Sequence, residues 1–313
     1  MDRRAWVRDT LSPKDWVVPL PDAAVDELEA AVGRLRREPL PTLLLSPVQF
    51  DLSVCREVMA AVGRQLRDGI GLAVLDRVPV ERFSVDENRA IGWLLGSLLG
   101  RLVAQKWDGA MLYDVRDTGQ ALTYGVRRSV TNLDLQFHTD APWLASPPEL
   151  VGLLCLHPAM EGGVSSIVSF CTAHNEMLAR HPGLLARLYA PFLFDRQREH
   201  APGDAMVLSH PLFEYDGERL AGRLSRFQVR NGYALAEMPL DAEGEAALEA
   251  LDQIMKAPRV NREFFFERGQ IQILDNRRLG HRRTAFQDFP DPERKRHLVR
   301  LWLRDWGRRF YNG

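Results

Sequence analysis

The sequence predicts an α+β fold, a jelly roll flanked by helices. Three observations carry that expectation. Apolar residues recur every three or four positions through much of the first hundred residues, the period of helices with one buried face. From about Ala110 the pattern changes to short apolar runs separated by Gly, Pro, Asp or Asn clusters. One helical insert interrupts those runs. Periodicity alone suits another α+β sandwich equally well, so the motifs must decide.

Residues 22–37 and 52–67 are expected helices, and Ser84-x-x-Glu87 is a capping box opening a third that runs to about Gly100. The apolar run 71–75 between the last two is a strand feeding a sheet. Strands follow at 111–115, 133–138, 150–157, 165–170 and 205–208. The helical insert spans 172–189 and restarts at Pro182-Gly183, where a proline suits a first turn. A further helix at 241–256 precedes a strand at 270–274, and the last strand is 296–304. No internal repeat or long linker divides the chain. The expectation is one domain over 1–313, with 1–105 mostly helical and 106–313 the jelly-roll core.

Composition excludes several function classes. The 313 residues are 45% hydrophobic and 27% charged with a formal net charge of −1, an ordinary globular balance without the basic footprint of a nucleic-acid binder. The longest apolar stretch, 91–102, is too short to span a bilayer and is broken by glycines. The charged start MDRRAWVRDT has no apolar signal segment, so a cytoplasmic protein is expected. Cys55, Cys155 and Cys171 sit among apolar neighbours and read as small core residues. Charge is nevertheless uneven: ten Arg and one Lys fall between Arg277 and Arg309, against four acids.

Phe137-His138-Thr139-Asp140 is the first chemical motif. On a strand edge, residues two apart share a side, so His138 and Asp140 aim at one point. An imidazole and a carboxylate suit a divalent transition metal, and a second His completes a facial triad with open positions. His-x-Asp alone is a weak signal. Among the distant histidines, His281 is singled out because it follows the apolar strand and turn 271–276 and precedes a basic segment. The others fall in helices, loops or strand ends before proline, where a hydrogen-bonded structural role is commoner.

The last strand adds specificity. In Arg296-His-Leu-Val-Arg300-Leu-Trp-Leu-Arg304, Arg296, Leu298, Arg300 and Trp302 share one face, while His297, Val299, Leu301 and Leu303 share the other. Two arginines opposite an apolar face make sense in a barrel that binds anions inside and packs helices outside. An arginine fork meets a carboxylate through two charge-assisted bonds. The two arginines leave the strand about 13 Å apart, which favours two anion sites over one.

Taken together, Phe137-His-Thr-Asp140, the Gly162-Gly163 turn, Asp275-Asn276, His281 and Arg296-x-x-x-Arg300 resemble the taurine dioxygenase-like (TauD/TfdA-type) branch of the Fe(II)/2-oxoglutarate-dependent oxygenases. The resemblance covers roughly residues 110–303 and is looser before them. It implies a distorted double-stranded β-helix, with His138, Asp140 and His281 as iron(II) ligands and catalytic centre. It implies Arg296 as the clamp on the distal carboxylate of 2-oxoglutarate, with Arg294 as the competing clamp, and Ser165 as an assisting contact. Arg300 falls where members hold an acidic group of the substrate; pairing with an internal acid is its other reading. Tyr124 and Trp143, flanking the metal motif in Gly/Arg- and Pro-rich stretches, are expected to line the substrate pocket as part of a mobile lid, with Trp107 and Tyr113 as further aromatics of that region. Ordinary core packing is the competing reading for all four.

The activity implied is a dioxygenase consuming iron-bound O₂ and 2-oxoglutarate, releasing succinate and CO₂, and hydroxylating a small anionic or zwitterionic molecule such as an amino acid, sulfonate, phosphonate or betaine-like acid. Asp140 argues against halogenation, which vacates that ligand position. A catalytically silent barrel that binds metal and 2-oxoglutarate in a sensor or structural role is the alternative from another class. Small-molecule partners, no nucleic acid, no membrane and a possible homo-oligomer complete the expectations.

Overall fold

The computed structural model describes residues 3–312. Its N-terminal part holds β1 (Val17–Pro19), α1 (Asp22–Arg37), α2 (Ser53–Asp68), β2 (Leu72–Asp76) and α3 (Val85–Leu99). Next come β3 (Tyr113–Val115), β4 (Leu135–His138), β5 (Leu150–His157), β6 (Glu161–Gly162) and β7 (Ser165–Ser169). Helices α4 (Phe170–Arg180) and α5 (Pro182–Leu188) interrupt them, followed by β8 (Pro191–Asp195), β9 (Val207–Pro211), β10 (Phe213–Tyr215) and β11 (Leu220–Gly222). The chain closes with α6 (Arg226–Leu235), α7 (Ala242–Lys256), β12 (Asn261–Phe264), β13 (Ile271–Asp275), β14 (Leu279–Arg283), β15 (Phe286–Gln287) and β16 (His297–Leu303).

Local chemistry explains the boundaries. Ser84 accepts a hydrogen bond from Glu87 N (3.2 Å), and the Glu87 carboxylate accepts one from Ser84 N (2.8 Å), so the capping box fixes the start of α3. Ser169 caps α4 directly at the end of β7, which is why that helix begins two residues before the predicted 172. Asp241 caps α7 through Gly244 N at 2.6 Å. The Gly162-Gly163 turn has φ of +74° and +67°, and a Cβ on Gly162 would lie 2.3 Å from Ala285 O, so glycine is required there.

Two sheets form the barrel. The larger has the order β1-β2-β13-β5-β16-β3, the smaller β12-β7-β14-β4; every pairing is antiparallel except that of β1 with β2. Alternation along the strands assigns the faces. Ile271, Ile273, Val299, Leu301 and Leu303 turn outward into one hydrophobic cluster with α1, α2 and α3. Gln272, Leu298 and Arg300 turn inward and line a cavity whose opposite wall is His138, Ser165, His281 and Arg283 of the smaller sheet. The two faces of β16 are therefore divided as its sequence pattern requires. Among the described residues, no helix is long and apolar enough to cross a membrane.

Several elements were not evident in the sequence pattern. His281 lies within the short strand β14, whose Leu-Gly-His-Arg-Arg composition hides its pairing with β7 and β4. Helix α6 escapes periodicity because its buried face includes Arg226 and Gln228 beside Val229. Those polar groups are tolerated where partners exist: Arg226 pairs with Glu249 at 2.5 Å and Asp252 at 2.6 Å.

Candidate active site

Antiparallel register sets His281 directly opposite His138, and their ring centroids lie 4.2 Å apart. Asp140 follows β4 by two residues and returns to the same side. Its Oδ1 stands 3.5 Å from His138 Nε2 and 3.6 Å from His281 Nε2. One ligand atom from each residue falls within 4.8 Å of the others, the spacing of donors around a single cation. The structure thus brings the three predicted metal ligands together.

The surrounding side chains fix how each can bind. His138 Nδ1 is 2.9 Å from Gln136 O, a contact that places the proton there and leaves Nε2 as the donor to a metal. Burial and the neighbouring His138 push His281 down to about 4, so it is a neutral imidazole at physiological pH. Burial alone would raise the Asp140 pKa; Arg300 and the two imidazoles outweigh it and hold the carboxyl well below its ordinary range. Its other oxygen, Oδ2, accepts from Trp302 Nε1 at 2.7 Å and Arg300 at 3.0 Å. One oxygen is occupied by protein and the other is left for the cation. Two imidazoles and a one-oxygen carboxylate suit a divalent transition metal with positions still open.

The backbone around Asp140 is stapled. Asn276 accepts from Asp140 N at 2.7 Å and donates to Asp140 O and Pro148 O, both at 3.0 Å. Thr139 exchanges hydrogen bonds with Leu224 of the segment before α6. The Asp275-Asn276 motif does not reveal the task of Asn276, because its role depends on a partner 136 residues away.

Arg300 is held from behind by Gln105, which is fully buried. Gln105 Oε1 accepts from Arg300 Nε at 2.8 Å, while its Nε2 donates to Arg300 O at 2.7 Å and Met111 O at 3.0 Å. The guanidinium also lies over the rings of Tyr113 and Trp302, at 4.7 and 4.9 Å. Of the two readings of Arg300, the internal acid is present, and it is Asp140. One guanidinium nitrogen nevertheless has no partner, and the side chain lines the outer cleft as well.

The inner cavity, about 60 Å³, lies between the sheets beside the metal ligands. Arg296 enters it, only 5% exposed, with one terminal nitrogen buried and unpartnered. Burial pushes its pKa down to about 10, so it stays a cation. Uncompensated buried charge is expensive, so this side chain is built to receive an anion. Ser165 lines the same cavity. Arg294 is exposed in the preceding turn, stacked on Phe289 at 4.0 Å, and takes no part. Arg283, not anticipated, is a second buried cation of this cavity. It donates to Thr131 O and Leu133 O, shares the Phe286 ring with Arg296, and is pushed down to about 9 by burial and by that neighbour.

An outer cleft of about 380 Å³ opens over Asp140 and Arg300. Trp143 lines it, but as a fixed wall: it is buried, and its indole donates to Tyr311 Oη at 2.9 Å. Tyr124 does not line it. Its ring lies under Arg198 at 4.7 Å and its hydroxyl is 3.5 Å from Asp195, because the 119–126 loop turns away toward the 195–200 segment. The lid expectation is corrected accordingly for both residues. Tyr113 packs against Arg127 and Arg300, and Trp107 is largely exposed.

Comparison with known proteins agrees with this geometry. The model of the family described as taurine catabolism dioxygenase TauD, TfdA matches residues 36–302. The chain is 30% identical to FR-33289 synthase of Streptomyces rubellomurinus, over 98% of this chain and 90% of that protein. It is 27% identical to the taurine hydroxylase-like protein SAT17 of Stachybotrys chartarum, over 96% and 78%. An asparagine oxygenase solved with Fe(II), 3-hydroxyasparagine and succinate superposes with a TM-score of 0.69 at 18% identity, covering 92% and 93%. The non-heme iron oxygenase OrfP with Fe and α-ketoglutaric acid gives 0.66 at 17% identity, covering 92% and 94%.

Proposed function

The chain belongs to the TauD/TfdA dioxygenase family, and from that premise we propose that His138, Asp140 and His281 hold its iron while the protein hydroxylates a small anionic or zwitterionic substrate. It is a 2-oxoglutarate-dependent dioxygenase using Fe(II), 2-oxoglutarate and O₂. The observation that carries the residue assignment is the convergence of two imidazoles and one free carboxylate oxygen beside a buried guanidinium that lacks an anion. When bound, iron(II) and 2-oxoglutarate supply the oxidising power: one oxygen atom ends in succinate, released with CO₂, and the other in the substrate.

The chain's own side chains do the rest. Asp140 stays ionised because Arg300 and Trp302 hold its second oxygen. Arg296 grips the distal carboxylate of 2-oxoglutarate, assisted by Ser165, and Val151, Leu153 and Leu298 keep that cavity dry. The outer cleft is lined by Arg300, whose Nη2 is buried without a partner among the described residues, and by Arg128, stacked on Phe227 at 5.2 Å without an acid partner among them. Two guanidiniums with spare donors favour an acidic group on the substrate. Solved structures of the asparagine oxygenase and OrfP with hydroxylated amino acids support a molecule of that size and polarity.

Anaerobic addition of Fe(II) and 2-oxoglutarate should produce a weak visible charge-transfer band. Oxygen uptake and succinate release should then identify the substrate from a panel of small acids. Asp140→Ala should lower turnover at least about a thousandfold and abolish the band. Retention of full activity by that variant would remove the assignment; a band without turnover of any acid would favour the silent barrel.

A further inference from the structure

We propose that Gln272 is a neutral second anchor for 2-oxoglutarate, donating its side-chain amide to the carboxylate at the metal-facing end. This rests on the reading that 2-oxoglutarate occupies the inner cavity.

Gln272 interrupts an otherwise apolar strand, with Ile271 and Ile273 turned outward onto the helices. Its own side chain turns into the inner cavity. Register aligns Gln272 with Leu153 of β5 and Leu153 with Arg300 of β16. The amide therefore stands in the same cross-sheet row as the arginine that reaches Asp140. Arg296 enters the cavity from the residue just before β16, four positions ahead of Arg300. A dicarboxylic acid lying along the cavity would meet Arg296 at one end and Gln272 at the other.

The second observation is that this amide has nothing to bind. Gln272 is 2% exposed and neither its Oε1 nor its Nε2 has a hydrogen-bond partner among the described residues; of the two, Nε2 is the group that can donate to a carboxylate. The two buried amides around Arg300 and Asp140 are better served: Gln105 makes three side-chain hydrogen bonds and Asn276 three. An amide left orphaned in an apolar strand is destabilising, so a leucine would serve the fold better there. A carboxylate that accepts from Nε2 explains the donor's presence.

The test is Gln272→Leu, of nearly equal volume, titrated anaerobically with 2-oxoglutarate on the Fe(II)-loaded protein and followed by the charge-transfer band. The dissociation constant should rise about tenfold, Fe(II) affinity should be unchanged, and the metal-free variant should melt no lower than the parent. Gln272→Glu, which sets a carboxylate against an anion, should weaken 2-oxoglutarate further than Leu does. It also serves if the leucine variant fails to fold. Equal 2-oxoglutarate affinity in parent and either variant would overturn the proposal. A parent that gives no band at all would instead overturn the occupancy of the cavity on which it rests.

Discussion

The inner cavity and the outer cleft are both rich in arginine, yet most arginines of the cleft meet an acid while two of the cavity meet none. In the outer cleft Arg127 meets Glu199 at 2.6 Å with both side chains 8% exposed, Arg226 meets Glu249 and Asp252, and Arg230 meets Glu245. In the inner cavity Arg282 meets Glu263 and Arg300 meets Asp140, but Arg296 and Arg283 have no carboxylate against them among the described residues; Asp288 reaches only the Arg296 backbone N–H, at 2.8 Å. The difference separates scaffold from site. A buried charge with a partner holds segments together, and one without is a place kept for a ligand.

The comparison can be broken most sharply at the paired end. Glu199→Gln leaves Arg127 buried and uncompensated, so stability at neutral pH should fall by about 3 kcal/mol, measured by urea unfolding, while the 2-oxoglutarate midpoint of the folded protein stays put. Arg296→Met should do the reverse. The 2-oxoglutarate half-saturation should rise about a hundredfold, and the metal-free protein should melt no lower, because an unpaired buried cation has been removed. If Arg296→Met instead destabilised the metal-free protein as Glu199→Gln does, the distinction would fail.

Arg128 sharpens the comparison from within the outer cleft, since it resembles the inner arginines in lacking an acid. Arg128→Ala should raise the substrate KM about tenfold with kcat and the 2-oxoglutarate midpoint little changed, and added salt should narrow the gap from the parent. The smallest effect concerns the thiols. Burial, aided at Cys55 by Glu27, raises Cys55 and Cys155 to about 12 from an ordinary value near 9.0. A raised folded-state value stabilises the protein below pH 9 and loses that contribution as pH climbs toward 12. At pH 8 a thiol reagent should therefore modify only the half-buried Cys171 in the folded protein, and all three after unfolding.

Much of this organisation was legible beforehand where it depends on short-range periodicity. His138 and Asp140 share a side because they are two apart near a strand end, and the alternation along 296–301 separates Arg296 and Arg300 from Val299 and Leu301. The helix-then-strand order was legible from the change of period near Ala110, and the motifs chose among the α+β folds that suit it. What stayed hidden depends on pairings across the chain. Gln105 gains its role only by meeting Arg300, 195 positions away, and Trp302 only by meeting Asp140, 162 positions away. Arg283 looked like one more residue of a basic surface. Tyr124 misled because a position near the motif in sequence says little about which way a loop folds back.

The guanidinium of Arg300 touches the metal carboxylate on one side and faces the cleft on the other. A substrate acid held by Arg300, as proposed, would draw on the same positive charge that Asp140 leans on, and that sharing would couple the two pockets. By thermodynamic reciprocity, whatever factor substrate imposes on iron affinity, iron must impose on substrate affinity. One side chain thus makes the two equilibria a single cycle, with each arrival reporting the other.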